Sequence, residues 1–335
     1  MTSARWRNFK RLVLVAAGAA LLTGCGSSSE RVVRIATFSG VNEVFDIHLA
    51  QSLGYFGKEG VAVSLEEVGS GTKLVQDLVG GSADAVFGAC MSPIQMAIVG
   101  KQLQSVYVSS TMGTSLLVTS QATAGRIRGI EDLKGATVGI PGFGAPMQQA
   151  LLYVMSQKGV RSQDVTFIPF GVGASAIAAL EHSKVDAGTI GGATFEVLRR
   201  RAPAIRVLYD TRTSKGLMAA YGIDAMATFC LYSSRDWISH NREQVGKLVR
   251  ALQQTHAWIQ ARPVEEVVDR IPDRFRTENR ETDLAVYRIL IAGLSKDGKM
   301  PPGAPDNLYR ILSASEKTGS IDLAGTWTNE FVDPR

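Results

Sequence analysis

From residue 31 onward, short runs of apolar and β-branched residues alternate with segments whose apolar positions recur at helical spacing. The runs at 32–37, 62–68, 85–88, 136–140, 165–169 and 188–191 predict strands, with helices between them. Alternation of that kind predicts βαβ units, hence an α/β chain with parallel sheets. Farther on, Val245, Leu248, Val249, Leu252 and Ile259 form the apolar stripe of a long amphipathic helix. Two more helices are expected at 282–294 and 304–317, separated by a loop at Gly298, Pro301 and Pro302.

The pattern also repeats. Val68-Gly69-Ser70-Gly71 recurs as Phe170-Gly171-Val172-Gly173, Leu78 as Leu180, and Asp84-Ala85 as Asp186-Ala187, all at an offset of 102 residues. Each copy ends in a strand that runs into glycine, at Gly88 and at Gly191-Gly192, and each is preceded by a helix closing in Lys58-Glu59-Gly60 or Lys158-Gly159. A shared spacing across these features predicts a duplicated α/β lobe. Two such lobes create a cleft, and ligands of parallel sheets sit beyond the carboxyl ends of the strands, where these glycines fall. Backbone without a Cβ can approach a ligand closely, and the helix starts that follow carry partial positive charge. Lobes sharing one ligand in this way close by hinge bending.

Composition narrows the function. A hydrophobic fraction of 45% with 20% charged residues excludes wholesale disorder, and 335 residues suit one large or two medium domains. The net charge of +5 is misleading. Arg5, Arg7, Lys10 and Arg11 lie in the first 24 residues, leaving 32 basic against 31 acidic residues elsewhere. No nucleic-acid partner is therefore expected, and Arg199, Arg200 and Arg201 read as a solvated helix end.

The apolar run at 12–22 is too short to span a bilayer and, after its basic start, reads as a signal peptide. It closes in Leu22-Thr23-Gly24-Cys25, which resembles the bacterial lipobox and makes Cys25 the expected lipidation site, with the Gly/Ser-rich stretch behind it a flexible tether. The expected location is the periplasm or cell surface, lipid-anchored to a membrane. Cys90 and Cys230 lie in apolar stretches and are read as two buried free thiols in preference to a disulfide, which stays open as the alternative. No nucleophile elbow, phosphate loop or metal-ligand spacing occurs among the sequence motifs, and His256 falls on the apolar stripe as a core residue. The expectation is a chain without catalytic residues, metal or cofactor.

Several segments together resemble a known family: Ile35 to Phe38, "AQSLGYFGKEG" at 50–60, Gly69 to Thr72, "LVGGSADAVFG" at 78–88, "IEDLKGATVGIPGFGA" at 130–145 and "LYSSRDWISHNREQVGKLVRALQQTHAW" at 231–258. The chain resembles the substrate-binding lipoproteins of ABC importers, in the SsuA/THI5-like branch associated with nitrate, taurine, alkanesulfonate and thiamine-pyrimidine uptake. That resemblance implies an α/β type II periplasmic-binding-protein fold, two α/β lobes around a central ligand cleft joined by two hinge strands at 115–120 and 227–232. Residues 1–24 would be the signal peptide, 25–30 the tether, 31–113 plus 227–335 the first lobe and 114–226 the second, with the C-terminal helices against the first.

Carried over by position, the resemblance places Phe38, Ser39, Gly40 and Asn42, then Ser70, Gly71 and Thr72, then Gly88, Cys90 and Met91 on the first side of the pocket. Phe143, Gly144 and Ala145, then Gly171, then Gly191 and Gly192 form the second side, with Met112 between them. Phe38, Met91, Met112 and Phe143 would be apolar walls; Ser39, Asn42, Ser70 and Thr72 would orient the solute. Ala145 stands where many relatives have Ser, and an aromatic common near Gly191 is missing. The plainer reading of Glu43 or Asp46 is a residue that faces solvent. With no Arg or Lys at these stations, the expected solute is small and neutral or singly charged: a sulfonate, a pyrimidine or an aromatic-like compound. The implied partners are that solute and the permease and ATPase of an importer, with the protein a monomer. The rivals are a ligand-sensing lipoprotein serving a signalling receptor and a thiamine-pyrimidine synthase-like enzyme, whose cysteine-rich segment this chain lacks.

Overall fold

The computed structural model describes residues 31–277, 279–314 and 319–333. The signal peptide and Cys25 lie outside the described residues. The chain runs β1 (Val33–Phe38), α1 (Phe45–Ser52), α2 (Tyr55–Lys58), β2 (Val63–Val68), α3 (Gly71–Val79), β3 (Ala85–Ala89), α4 (Met91–Ile98), β4 (Leu103–Ser110) and β5 (Ser115–Thr119). It continues through β6 (Thr137–Ile140), α5 (Pro146–Gln157), β7 (Thr166–Pro169), α6 (Ala174–Glu181), β8 (Ala187–Gly191), α7 (Gly192–Arg201), β9 (Val207–Asp210) and α8 (Ser214–Tyr221). The last part holds β10 (Phe229–Ser234), α9 (Arg235–His240), α10 (Arg242–Gln260), α11 (Val264–Arg270), α12 (Arg280–Ala292) and α13 (Ala304–Ser313). Among the described residues no helix is long and apolar enough to cross a membrane.

The strands form two five-stranded sheets, ordered β2-β1-β3-β10-β4 and β7-β6-β8-β5-β9. Position by position the two orders match. In each, the first three strands are parallel and the fourth runs antiparallel to both neighbours. The sheets are therefore mixed, correcting the expectation of parallel ones. The antiparallel strand in each sheet is the segment that arrives from the other: β5 follows β4 out of the first sheet, and β10 returns from the second. The segments 115–120 and 227–232, expected as the crossing strands, largely coincide with β5 and β10, each paired within a sheet, and the chain passes between the sheets at 111–114 and 222–228.

Both faces of each sheet are covered at the centre, so the central strands β3, β5 and β8 are buried on both faces instead of alternating, while the edge strands β2 and β7 keep exposed positions. In the first sheet Ile35, Phe87 and Leu231 pack against Ile47 of α1 and Val249 and Leu252 of α10. The intervening Ala36, Val86 and Tyr232 meet Leu74, Leu78 and Ile94 on the opposite face. The second sheet sets Leu117 and Val138 against Leu151 and Val154 of α5 on one side and Leu116 and Val118 against Ile177 and Leu180 of α6 on the other. Helix α10 buries the stripe read from the sequence, together with His256. The C-terminal helices reach the second lobe as well as the first. Helix α12 packs against α7, and α13 lies against both α4 and α5.

Cys90 and Cys230 form a disulfide, with their Cα atoms 5.1 Å apart. This corrects the reading of two free thiols. The reason is register: β10 pairs antiparallel with β3 so that Cys230 faces Gly88, and the Cys90 N–H donates to the Thr228 carbonyl at 2.9 Å. Residues 140 positions apart in sequence thereby become neighbours.

Candidate functional site

The loops that follow β1 and β8 bring the two sheets' strand ends together. Glu43, just after β1, projects to the start of α7, where its carboxylate is stabilised by its own backbone N–H and that of Gly192. A Cβ added to Gly191 would lie 2.8 Å from Glu43 Oε1, and one added to Gly192 would lie 3.0 Å from Arg212 Cδ. The paired glycines are thus what allow a carboxylate and a guanidinium to approach this turn. A second cross-contact runs from Gln95 Nε2 to the Gly144 carbonyl at 3.4 Å.

Around Glu43 lies a cavity of about 20 Å³, whose lining includes Ser110, Met112, Thr114, Gly192, Arg212 and Leu290. That is room for roughly one water molecule. Glu43 is 8% exposed and Asp46 is fully buried, so neither faces solvent as expected. Burial raises the Glu43 pKa, with the two N–H groups and the Arg212 charge pulling the other way. Asp46 is held elsewhere, accepting from Ser109 Oγ at 2.6 Å and lying 2.8 Å from His256 Nε2.

Arg212 is the basic residue the sequence reading did not place. It sits two positions past β9, an edge strand hidden in the short run Val207-Leu208-Tyr209, and its fork is already engaged. Nε and Nη2 meet Asp210 at 2.9 and 2.7 Å, Nη1 meets Glu196 at 3.1 Å, and the guanidinium lies 4.9 Å from the centre of the Phe195 ring. The signal that could have revealed it is the Asp210-x-Arg212 pair directly after that apolar run.

Of the residues expected in the pocket, Met112 and Gly192 line the cavity and Gly191 abuts Glu43. Phe38 stands edge-on to Phe229, ring centres 6.2 Å apart, and beside Gly71. Asn42 spends its amide on the Phe275 carbonyl at 2.6 Å and the Tyr287 hydroxyl at 2.8 Å. Ser70 caps α3 by accepting from the Lys73 N–H at 3.2 Å, and Thr72 beside it is exposed. Ser39 and Gly40 are exposed, whereas Gly88, Cys90 and Met91 are buried, Cys90 within the disulfide. Phe143 is 64% exposed beside Gly144, and Ala145 begins α5 without a side-chain cap, Pro146 taking the first helical position. Gly40, Gly144 and Gly171 adopt φ of 66°, 73° and 75°, open to glycine at little cost. Among the described residues no group of His, Cys, Asp or Glu is placed to hold a metal ion.

A protein of solved structure from Bordetella bronchiseptica RB50 shares 26% identity with a TM-score of 0.84, over 90% of this chain and 95% of that one. The alkanesulfonate-binding protein SsuA from Xanthomonas axonopodis pv. citri, bound to MOPS, is similar at 18% identity and a TM-score of 0.56, over 85% and 84% of the two chains. The periplasmic nitrate-binding protein NrtA from Synechocystis PCC 6803 is similar at 14% identity and a TM-score of 0.57, over 88% and 87%. At those identities the last two establish the fold, that of periplasmic binding proteins. No curated protein matches in sequence. A family model described as NMT1/THI5 like matches residues 42–266, from α1 through the α10 stripe, and the chain belongs to that family.

Proposed function

We propose that this chain is the extracytoplasmic solute-binding protein of an ABC importer, taking a small neutral or singly charged organic solute between its lobes and delivering it to a membrane permease. Its substrate class comes from the family's solute-binding members and from the residues at the strand ends; the reading includes no catalytic step. One observation carries it: two sheets of the same strand order share a cavity of about 20 Å³, lined by Glu43 and Ser110 from the first and by Gly192 and Arg212 from the second. Small-molecule sites are commonly about 300–1,000 Å³. Admission of an organic solute therefore requires the lobes to part about 111–114 and 222–228, and its capture requires them to return, which is hinge closure. In this reading 31–113 with 227–335 and 114–226 move as the two bodies, and Cys25 carries the lipid that keeps the protein at the membrane.

The test is a thermal-shift screen of sulfonates, nitrate, pyrimidines, aromatic acids and flavins. A true solute at a hundredfold excess over its Kd adds about 2.7 kcal/mol to the folded state and raises the melting temperature accordingly. Small-angle scattering with the best compound should report a smaller radius of gyration. A protein whose melting and scattering respond to no compound in the collection, and to no small organic cation added to it, is not a solute-binding protein of this class.

A further inference from the structure

Resting on the solute-binding reading, we infer that Glu43 sets the charge class of the solute: the site takes an organic molecule presenting N–H donors, above all an amidine or ammonium cation, and turns away anions. Glu43 is 8% exposed, lines the cavity, and its Oε1 has no hydrogen-bond partner. A buried acceptor left without a donor costs about 1–3 kcal/mol, so a ligand that brings an N–H to Oε1 gains what the protein alone forgoes. The position where a helix start would greet an incoming anion is already taken by this carboxylate, held against Gly191 and Gly192.

The surrounding charge reinforces the choice. Arg212 is bound by Asp210 and Glu196, and Glu196 is also paired with Arg199. With Glu43 added, two guanidinium groups face three carboxylates, a formal balance of one negative charge. An entering sulfonate or nitrate would meet Glu43 with Arg212, the basic residue of the cavity lining, already engaged, whereas an amidine would complete the balance. Met112, Val286 and Leu290 supply apolar surface beside the polar end.

The experiment uses matched probes that differ in the charged group: acetamidine and methanesulfonate, benzamidine and benzenesulfonate, with nitrate as the smallest anion, each titrated by calorimetry and thermal shift. The unmodified protein should bind at least one amidine and none of the anions. Glu43→Gln should weaken amidine binding by about ten- to hundredfold, the loss expected for a hydrogen bond to a charged group. Because Glu43→Gln could disturb the fold, the matched panel on the unmodified protein decides the matter by itself. Binding of a sulfonate or nitrate as tight as that of its amidine partner overturns the role of Glu43 while leaving solute binding intact, as does a folded Glu43→Gln protein with unchanged amidine affinity. Silence toward these probes and toward the wider screen removes the solute-binding reading, and this inference with it.

Discussion

Asp84 and Asp186 stand at matching positions of the two lobes and make matching contacts. Asp84 Oδ2 accepts from the Arg34 N–H at 2.9 Å while its own N–H donates to the Arg34 carbonyl at 2.8 Å; Asp186 exchanges the same two bonds with Thr137, both at 2.8 Å. Each carboxylate thus satisfies the N–H of a neighbouring strand near its start. Asp84→Ala and Asp186→Ala should each lower unfolding free energy by about 1–3 kcal/mol, and the double variant by the sum, since the two share no partner. Urea titration measures this, and a null effect at both would deny the contacts any weight. Burial acts to raise the Asp84 carboxyl, but the hydrogen bonds and charge of Arg34, helped by Arg31, leave it below the ordinary value. A lowered folded pKa contributes stability above the unfolded pKa and loses it as pH falls through the folded one. The gap between the unmodified protein and Asp84→Asn should accordingly narrow on acidification below the usual carboxylate range. The Asp-Ala repeat was legible as a spacing. Its purpose was not, because the partner N–H lies 50 residues away in one lobe and 49 in the other.

At the scale of elements, the strand that returns to the first sheet decides more than its six residues suggest. β10 lies between β3 and β4, antiparallel to both, and the Cys90–Cys230 disulfide fastens it beside the start of α4. The bond closes a loop of 140 residues that contains the whole second sheet. Reduction, or Cys90→Ala with Cys230→Ala, should cost about 2–5 kcal/mol, with the unfolded chain's added freedom the main source. Denaturation with and without a thiol reductant, in the unmodified and the double-alanine protein, checks it; a reductant effect that persists without the two cysteines would refute the assignment. Helices were easier to read than this strand. The α10 stripe follows from local periodicity; the N-caps at Ser70, Thr213, Ser234 and Asn279, not read as caps from the sequence, act within a single turn as well. Antiparallel insertion of a distant segment leaves no local mark, since an apolar six-residue run looks the same in either direction.

For the whole molecule, two lobes of one strand order are joined where the chain crosses, where Glu43 and Gln95 of the first meet Gly192 and Gly144 of the second, and where α12 and α13 reach over to α7 and α5. Those helix contacts are surfaces that hinge opening would have to slide or separate, so they set part of the energy between open and closed forms. The membrane is the other whole-molecule partner in the proposed function. A single acylated cysteine followed by a Gly/Ser tether would leave both lobes free to move while holding them near a permease. Cys25→Ser should shift the protein from the membrane fraction to the soluble extracytoplasmic fraction, with solute affinity unchanged. Retention at the membrane after that change would remove the anchor from the account.

The chain's own order of residues was enough for the α/β class, the duplicated lobe, the principal helices and the family likeness, because each rests on spacing within one segment or on a fixed offset between two. Folding alone decided the rest: the antiparallel strand in each sheet, the pairing of Cys90 with Cys230, and the burial of Glu43 beside Gly191 and Arg212. Those are meetings of residues far apart in sequence, and the free energy that selects them comes from register and shared burial across the two lobes. A glutamate following a strand carries no sign in its neighbours of whether water or a buried guanidinium will face it; that depends on where the second lobe's glycines arrive.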